Sequence, residues 1–505
     1  MDTILQASLT GLLEVFAWPA FGLMLLAIVV GFFVGIIPFV SIPMTLALML
    51  PFTFGMKPVE AFAFLLGMLS ISIIFSDITS IIFGVPGEPV TAAIILDGHP
   101  MAKLGQTGRA LGAAFMSSLI GSIIGAVVLA ASVPVVRPIA LSFGAPEFFG
   151  MALLGILFIA ALSGGNTTKG VLMGLMGLML SMVGMDPQSG TQRFTLGMIE
   201  LYDGLGLIPV TVGLFGVAEL VDLWLKQKSI AEVAVGRIGG VWQGCKDTFV
   251  HIGLTLRCSF LGAFLGIIPG LGGAIAQWLA YAHAVQSSKD KSQFGKGDVR
   301  GVIGPGATMN AKEGGNLITT VAFGVPSTVT MAILLGAFLI QGVVPGPDML
   351  TKNLDLTMSF VWIVILSHVI GIGLCFLLIN QMVKITEIRS SLLLPAILLL
   401  ALLGGFADKS SLFDMLTAVG AGFVGLAMVR LDWPRPPLIL GLVLGRIAEN
   451  NFFIAYTRYG VSFVLRPVLI GIIVVGIVLL LAPTFQKMLG RRAGVRQELL
   501  LAEEG

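Results

Sequence analysis

The chain has 505 residues, of which 56% are hydrophobic and only 11% are charged. Water-soluble domains carry about 25% charged residues, so the composition excludes a soluble protein and predicts an all-α polytopic membrane protein. The 29 Lys and Arg residues nearly balance the 27 Asp and Glu residues, which argues against a nucleic-acid partner. Three scattered cysteines suit neither a disulfide framework nor a metal cluster.

Apolar segments recur along the whole chain. About 20 apolar residues cross a bilayer core, so these segments predict about 11 to 13 transmembrane helices together with shorter, broken pieces. Residues 1–56 contain no Lys or Arg, which places the N-terminus outside the cell and argues against a cleavable signal peptide. The polar stretches 226–247 and 286–312 are expected to be loops.

The chain repeats itself. Phe33-Val34-Gly35-Ile36-Ile37-Pro38 resembles Phe264-Leu265-Gly266-Ile267-Ile268-Pro269, and Phe83-Gly84-Val85-Pro86 is identical to Phe323-Gly324-Val325-Pro326. The two matches are offset by 231 and 240 residues. They predict membrane repeat 1 over 1–225, a cytoplasmic connecting loop over 226–250, membrane repeat 2 over 251–483 and a basic cytoplasmic tail over 484–505.

Charge predicts that the two repeats are inverted. The loops 226–250 and 286–300 are rich in Lys and Arg and should be cytoplasmic. Their counterparts in repeat 1, 1–17 and 51–60, hold only Lys57 and should be external. Opposite orientation of related halves is the design of many secondary transporters.

Each repeat also contains a limb that is too short to cross the bilayer. Residues 43–54 and 274–285 would each form about 18 Å of helix, against a core of about 30 Å. The turns at Pro38 and at Pro269-Gly270-Leu271-Gly272-Gly273 should therefore lie near the midplane, as the tips of re-entrant hairpins.

Four motifs carry a resemblance to a known family. They are the turn Gly266–Gly272, the break Pro86-Gly87-Glu88-Pro89 with the following Asp97–Lys103, the block Pro305–Gly315 and the late Leu444–Glu449. By these motifs the chain is identified, over nearly its whole length, as a divergent member of the family of large membrane subunits of tripartite tricarboxylate transporters. It departs from the family pattern at Phe39, Asp77 and Gly306, which suggests an altered substrate or ion.

The resemblance implies a secondary active transporter that imports small carboxylates across the bacterial inner membrane, driven by a Na+ or H+ gradient. It also implies two partners, a small membrane subunit and a periplasmic solute-binding protein. No cofactor other than the coupling ion is expected. No Walker A or His-Glu-x-x-His pattern occurs in the sequence, so we expect no enzyme activity. An anion channel or uncoupled pore is the alternative.

The two proline breaks predict the substrate site. A helix that restarts after a break presents free N–H groups and a positive dipole end, which bind anions; the alternative is a pair of kinks packed by neighbouring helices. Asn310 and Glu313 could add polar contacts, although Lys312 beside them fits a loop-surface salt bridge equally well. The predicted substrate-binding residues are Ser41, Pro86, Gly87, Thr91, Gly270, Gly272, Asn310, Ser327 and Thr328.

Asp77 is the predicted coupling-ion residue, because a carboxylate at membrane depth is costly and should serve a function. The hydroxyls around it are hard oxygen ligands that suit Na+, and the carboxylate could instead carry a proton. The predicted ion-site residues are Asp77, Ser76, Thr79, Ser80, Thr319 and Thr320; no other metal is expected. The alternative is a structural acid that accepts hydrogen bonds from the serine hydroxyls. Arg446 and Glu449 are predicted to form an intramembrane ion pair.

Overall fold

The computed structural model describes residues 2–36, 41–84, 86, 88–162, 167–186, 188–226, 238–268, 273–385, 398–399, 401–406 and 411–478. It is 81% helical, which confirms the predicted all-α class. The chain forms two compact units, one of residues 1–142 and 205–431 and the other of residues 143–204 and 432–505. Each unit draws residues from both predicted repeats, so the units and the repeats do not coincide.

The larger unit contains fifteen of the helices that the structure describes. They are α1 Asp2–Phe16, α2 Ala20–Ile36, α3 Ile42–Met49, α4 Pro58–Phe83, α5 Ile95–Lys103, α6 Thr107–Leu141, α9 Leu207–Thr211, α10 Ala218–Lys226, α11 Val241–Val250, α12 Ile252–Ile267, α13 Gly273–Ser287, α14 Val299–Phe323, α15 Val329–Ile340, α16 Leu354–Ile385 and α17 Leu412–Arg430. A π-helical segment, Val212–Val217, joins α9 to α10. Short 3₁₀ turns occupy Leu50–Thr53, Pro89–Thr91 and Pro347–Leu350.

The smaller unit is built around α7 Ala145–Leu162, α8 Thr167–Ser181, α18 Pro436–Tyr459 and α19 Pro467–Val478. 3₁₀ turns lie at Ile199–Leu201 and Gly460–Leu465. Strands β1 Gly184–Met185 and β2 Gln192–Arg193 pair antiparallel, with Gly184 opposite Arg193 and Met185 opposite Gln192.

Five described helices are long and apolar enough to cross a membrane, and the number rises to seven if each of two bent helix pairs counts as one span. The bent pairs are α1 with α2, at 70°, and α11 with α12, at 81°. The count over the described residues is lower than the predicted 11 to 13, because several apolar segments form helices of 10–17 residues. The chain is therefore a multi-pass membrane protein in which many segments are bent or short.

The helix before each predicted hairpin tip, α2 or α12, packs in the same way in the two predicted repeats. Gly31 and Gly35 of α2 lie against the carbonyl groups of Met68 and Ser72 of α4. Gly262 and Gly266 of α12 lie in the same way against the carbonyl groups of Thr308 and Lys312 of α14. Each glycine of α12 follows its counterpart by 231 residues, and each carbonyl residue of α14 follows its counterpart by 240. Small residues four apart allow such close helix approach.

These contacts also give the course of the hairpins. Because the contacts advance together along both helices, α2 runs parallel to α4, and α12 runs parallel to α14. The short helices α3 and α13 must therefore carry the chain back to the end where α2 and α12 began. Their tips, 37–40 and 269–272, lie outside the described residues.

The long helices repeat this pattern across the two halves. In one pair, Gly67 and Ile71 of α4 lie against Ser367 and Gly371 of α16. In the other pair, the backbone carbonyl groups of Ala307 and Ala311 in α14 lie against Gly121 and Gly125 in α6. The α4 and α14 residues are again 240 apart, and those of α6 and α16 are 246 apart. Each half thus places its long helix beside the broken helix of the other half.

The broken helices α4 and α14 run in opposite directions. At one end, Gly98 of α5 packs on Ile81 near the end of α4, and Asp97 accepts a hydrogen bond of 2.9 Å from the N–H of Asp298, directly before α14. At the other end, Gly346 N donates to Val321 O near the end of α14, at 2.8 Å. Gln341 Nε2 donates to Thr53 O, shortly before α4, at 2.8 Å.

Two expectations from the sequence are wrong, namely the extent of the polar loops and the pairing of Arg446 with Glu449. The predicted loops 226–247 and 286–312 extend too far, because α11 begins at Val241 and α14 at Val299. Arg446 and Glu449 do not pair with each other. Arg446 instead donates to Asp203 O at 2.7 Å, and Glu449 pairs with Arg193 at 2.6 Å. The predicted tail 484–505 lies outside the described residues.

Candidate substrate and ion site

Both broken helices end on a glycine in the same left-handed conformation. Gly84 follows α4 and Gly324 follows α14, and each has φ 66° and ψ 20°. A residue with a side chain rarely adopts positive φ, so glycine suits this stop. Thr79 and Ser80 donate to Ser76 O at 2.9 and 3.1 Å.

The last turn of α14 repeats this arrangement. Thr319 and Thr320 donate to Asn316 O at 3.2 and 2.8 Å. The predicted ion-site hydroxyls Ser76, Thr79, Thr319 and Thr320 therefore each donate to a carbonyl of their own helix. Ser80 Oγ lies within hydrogen-bond distance of two acceptors, Ser76 O and Thr91 Oγ1, and shares its one hydrogen between them.

The first break differs from the expectation that a helix restarts at once. Pro89–Thr91 forms only a 3₁₀ turn, and regular helix resumes at Ile95. Within this turn Thr91 Oγ1 donates to Glu88 O at 2.9 Å and accepts from Ser80 Oγ at 2.6 Å. Pro86 is exposed, and Gly87 lies outside the described residues.

The free helix end of repeat 1 belongs instead to α3. Ser41 is its N-cap and accepts a hydrogen bond of 3.3 Å from Met44 N. The Ser41 hydroxyl donates to Glu219 Oε2 at 2.5 Å. The next backbone N–H, that of Ile42, donates to Glu88 Oε1 at 2.5 Å. Two carboxylates from distant parts of the chain therefore meet at the N-terminus of α3.

A π-helical turn positions Glu219. The segment Val212–Val217 packs on α3 and on α17, where Gly213 lies against Ala418 O. Glu219 follows this segment in the first turn of α10. π-turns are rare and occur often at functional sites.

The second break does restart a helix. Thr328 is the N-cap of α15, and its hydroxyl accepts a hydrogen bond of 3.2 Å from Met331 N. Ser327 Oγ donates to Asn316 Oδ1 at 2.8 Å. Asn316 Nδ2 in turn donates to Glu313 Oε2 at 3.0 Å.

Glu313 forms an ion pair with its neighbour Lys312 in α14, and both side chains are buried in the protein. The loop-surface salt bridge considered for Lys312 is therefore wrong. An ion pair inside the membrane-spanning part of a protein is costly and usually functional.

A polar side chain joins the first break to α14. Gln277 Nε2 donates to Met309 Sδ of α14 at 3.0 Å. Gln277 of α13 accepts a hydrogen bond of 3.2 Å from Ala93 N, just after the first break. We call Ser41, Glu88, Glu219, Lys312, Glu313, Asn316 and Ser327 the central polar cluster.

Asp77 is buried inside α4, with 1% of its surface exposed. Its Oδ1 has no hydrogen-bond partner among the described residues. The neighbouring hydroxyls donate to backbone carbonyls, and no described hydrogen bond joins them to Asp77. This arrangement disagrees with the alternative of a structural acid held by serines, and it leaves an acceptor for which a proton or a cation is a suitable partner.

Asn310 lies apart from the central polar cluster. Its Nδ2 donates to Ser118 Oγ of α6, and its Oδ1 has no partner among the described residues. No described hydrogen bond joins Asn310 to the central polar cluster, and its part in substrate binding stays a prediction. Gly270 and Gly272, which were predicted for the same site, lie outside the described residues.

The buried carboxylate of Asp97 holds the region after the first break in place through hydrogen bonds. Asp97 Oδ1 accepts hydrogen bonds from the N–H groups of Gly295, Gly297 and Asp298 at 2.8, 2.9 and 2.9 Å. Its Oδ2 accepts from the Tyr281 hydroxyl at 2.9 Å. The loop before α14 is therefore held against α5.

Hydrogen bonds and one ion pair form two sets of polar residues. One set contains Ser41, Ser80, Thr91, Glu88 and Glu219, and the other contains Ser327, Asn316, Glu313 and Lys312. Sequence reasoning did not assign Glu88, Glu219 or Lys312 to the site. Each had a signal in the sequence. Glu88 stands between two prolines, Glu219 interrupts the apolar segment 205–225, and Lys312 lies in a stretch of small residues.

A multi-pass helical protein with broken helices around a buried, charged cluster has the architecture of a membrane transport protein. Comparison with known proteins makes the assignment specific. The profile of the tripartite tricarboxylate transporter TctA family matches residues 21–440. The chain belongs to this family, as its motifs predicted. It is therefore a subunit of a tricarboxylate transporter, and its family is a family of transporters rather than of enzymes.

Two relatives from Agrobacterium vitis are similar to the chain. The first is an uncharacterised 52.8 kDa protein in the TAR-I ttuC′ 3′ region, 32% identical over 453 residues, which are 89% of this chain and 90% of the relative. The second is an uncharacterised protein in the TAR-II ttuC′ 3′ region, 30% identical over 231 residues, which are 45% of this chain and 96% of the relative. No solved structure gives a significant match.

Proposed function

We propose that the chain is the carrier subunit of a secondary active transporter that imports small carboxylates, tricarboxylates or related organic acids, across the bacterial inner membrane. The central polar cluster carries this proposal. It places an ammonium, three carboxylates, hydroxyls and the amide of Asn316, most of them buried, beside the breaks of α4 and α14 in a membrane protein. A substrate with several carboxylates needs such a mixture of cationic and hydrogen-bonding groups.

Alternating access is the second part of the proposal. The opposite directions of α4 and α14, together with the matched contacts of α2, α6, α12 and α16, support two inverted repeats. In this arrangement repeat 1 begins outside and repeat 2 begins in the cytoplasm, where the basic loops lie. Each broken helix then reaches the central polar cluster from a different side of the membrane.

Asp77 is proposed as the group that couples substrate to a Na+ or H+ gradient. It is buried and keeps one oxygen without a described partner. A fully charged carboxylate in that position repels an anionic substrate, and a bound proton or Na+ removes the repulsion. The ion and the substrate then raise each other's affinity by the same factor.

The proposed system has two further proteins. A small membrane subunit accompanies this chain, and a periplasmic solute-binding protein delivers the carboxylate. Membership of a tripartite family supports both partners. A pull-down of the tagged chain from native membranes, followed by identification of stoichiometric partners, tests this part directly.

Solute counterflow tests carrier against pore. Proteoliposomes containing the purified chain, alone and with its copurifying partners, are loaded with unlabelled citrate and placed in trace labelled citrate. A carrier accumulates label transiently above equilibrium, whereas an open pore lets the label equilibrate without overshoot. If the labelled citrate does not rise transiently above equilibrium and also leaks passively, the carrier proposal is contradicted.

A further inference from the structure

The outward faces of α2 and α12 match position by position. The exposed residues of α2 are Leu25, Leu26, Val29 and Phe33. The residues 231 positions later in α12 are also exposed, and they are Leu256, Arg257, Phe260 and Phe264. The opposite faces carry the glycines that pack on α4 and α14. In a multi-pass membrane protein, an exposed stripe of large apolar side chains on such a helix contacts lipid.

Arg257 is the one charged residue in these two stripes, and Leu26 stands at its position in α2. Its Nε donates to Gly253 O of its own helix at 3.1 Å, and it has no ion pair among the described residues. A guanidinium stays protonated in proteins, and a charge on a lipid-facing helix is costly. Arg257 therefore needs an anion from outside the described part of the chain.

The position of Arg257 along α12 indicates where that anion lies. Arg257 follows Ile252, the first residue of α12, by five residues, which is about 7–8 Å of helix. Long basic side chains near a helix end extend along the apolar surface to the membrane interface. The phosphates of phospholipids lie at this level, and guanidinium binds phosphate through paired hydrogen bonds.

Helix α11 has the character of a helix that lies in the membrane interface. It is bent by 81° from α12, so it runs nearly along the membrane surface where α12 crosses the membrane. Its inner face packs on α6, where Gly244 lies against Arg109 O. Its outer face carries, three or four residues apart, the exposed Trp242, Lys246, Phe249 and Val250. Aromatic, aliphatic and basic residues on one face are typical of interfacial helices.

Lys246 supplies a second cation at the same bend. It precedes His251, where α11 meets α12, by five residues, and Arg257 follows His251 by six. Each Cα therefore lies about 7–9 Å along its helix from the bend. Lys246 has no ion pair among the described residues, and the carboxylate of the adjacent Asp247 pairs with Arg109 at 2.5 Å.

The corresponding helix pair of repeat 1 has no such cations. α1 is bent by 70° from α2 and also exposes apolar side chains, among them Leu5, Leu9 and Leu13. However, residues 1–56 contain no Lys or Arg. The two bent pairs thus share an apolar outer surface, and only the pair of repeat 2 adds positive charge to it.

We propose that Arg257 and Lys246 bind the phosphate of an anionic phospholipid, with α11 lying in the membrane interface. In the orientation proposed for repeat 2, this lipid belongs to the cytoplasmic leaflet. Charge complementarity selects a lipid over a partner subunit, because a protein seated on this face would bury two cations, whereas a lipid headgroup brings its own anion. The inference goes beyond the proposed carrier function and does not depend on the substrate.

Native mass spectrometry of the purified full chain in an equal mixture of phosphatidylglycerol and phosphatidylcholine tests the site. The natural chain should retain phosphatidylglycerol in preference. Arg257→Leu, which introduces the residue of repeat 1, and Lys246→Gln should each lower the ratio of the two bound lipids about fivefold, and the double variant about 25-fold. Arg257→Lys keeps the charge and should retain most of the preference.

Lys352→Gln is the matched control, because Lys352 is an exposed lysine on another surface, paired with Asp348 at 3.1 Å. It should leave the ratio unchanged. An equal ratio in the natural chain and the double variant would overturn the inference. A loss in Lys352→Gln as large as that in Lys246→Gln would also overturn it, since it would show general charge attraction rather than a site.

A second measurement tests the position of α11. A nitroxide on Phe249→Cys, in liposomes of the same two lipids, should collide more with oxygen than with a water-soluble nickel complex. The three native cysteines are buried, so their labelling background is small. Gln293→Cys, in an exposed polar loop, is the control and should favour the nickel complex.

A label on Phe249→Cys that favours the nickel complex as strongly as the control would overturn the interfacial position of α11. If a copurifying membrane subunit removes the preference for phosphatidylglycerol when it is added, this face belongs to that subunit and the inference is overturned. Neither measurement uses a carboxylate substrate, so their results are independent of the counterflow test of the carrier.

Discussion

Repeat 1 and repeat 2 break at the same point of the same helix, yet the charges near the two breaks differ. α4 and α14 end on glycines of equal φ and ψ, and the preceding hydroxyls donate to the carbonyl groups of Ser76 and Asn316. Repeat 1 adds two acids, Asp77 and Glu88. Repeat 2 has Leu317 and Thr328 at those positions.

The positions 240 residues after Ser72 and Ile73 are Lys312 and Glu313. The backbone conformations at the two breaks are therefore alike, while the charged residues near them differ. Lys312 and Glu313 precede the second break, whereas Asp77 precedes and Glu88 follows the first break. Under the proposed function, two similar helices place the charge partner of the substrate and the charge partner of the ion in different halves of the chain.

The largest expected effect breaks the close helix packing that both halves share. Gly35→Ala places a methyl group 2.5 Å from Ser72 O, and Gly266→Ala places one still closer to Lys312 O. Ordinary overpacking costs about 1–3 kcal/mol; these contacts are with backbone oxygens and force the helices apart, so both variants should give little folded protein. Gly253→Ala in α12 meets nothing within 4 Å and is the matched control. Fluorescence-detected size-exclusion chromatography of the three variants checks this, and a monodisperse Gly266→Ala protein would contradict the parallel packing of α12 on α14.

The next effect comes from the buried ion pair. Lys312→Ser leaves Glu313 charged and without its ammonium, which costs about 3–5 kcal/mol. The double variant Lys312→Ser, Glu313→Ile restores the residues that repeat 1 has at these positions and should recover most of the loss. The measurement is the midpoint of thermal unfolding in detergent. Equal midpoints for the single and double variants would show that the pair is not coupled.

The sequence predicted the all-α class and the two similar helix breaks better than it predicted the charged cluster. The matching hexapeptides include Gly35 and Gly266, which pack α2 on α4 and α12 on α14, and the matching tetrapeptides contain the glycines that stop α4 and α14. These features are local, and they recur because the same backbone recurs. They therefore can be read without knowledge of the tertiary structure.

The sequence alone could not show that the polar start of α14 is a buried helix, and the reason is physical. Its apparent polarity comes partly from glycines such as Gly304 and Gly306, which lie against Ala280 O and Ser117 Oγ. Glycine contributes little hydropathy, but it permits close packing. The contact of Glu88 with α3 was equally hidden, because it joins residues 46 apart through tertiary structure.

One substitution near the first break, at Asp77, should stabilise the protein rather than destabilise it. Asp77→Leu gives repeat 1 the residue that repeat 2 has at Leu317. It removes a buried carboxylate whose Oδ1 has no partner among the described residues, so the protein should gain about 1–3 kcal/mol of stability. Coupling to the ion should be lost. A shift of the unfolding midpoint to lower temperature would mean that Asp77 makes a stabilising interaction in the folded protein.

The smallest expected effect concerns the polar residue about two turns before each break, Ser76 or Asn316. Asn316→Ala removes the link between Ser327 and Glu313 and should cost about 1–3 kcal/mol, because it leaves buried polar groups unsatisfied. Ser76→Ala removes only a hydroxyl that donates to Ile73 O at 2.6 Å and should cost about 1 kcal/mol or less. Thermal unfolding of both variants checks the order. A larger loss from Ser76→Ala would show that Ser76 makes a contact that Asn316 lacks.

The central claim is that Asp77 links carboxylate binding to a proton or Na+, and one measurement tests it most directly. Citrate affinity of the purified chain is determined as a function of Na+ concentration and of pH, for the natural protein and for Asp77→Asn, which keeps the size of the side chain but removes its charge. The account predicts that citrate affinity of the natural protein rises with Na+ or with falling pH, by about 5- to 150-fold over the full range. It predicts a flat response in Asp77→Asn. An equal dependence on the ion in both proteins would contradict the account.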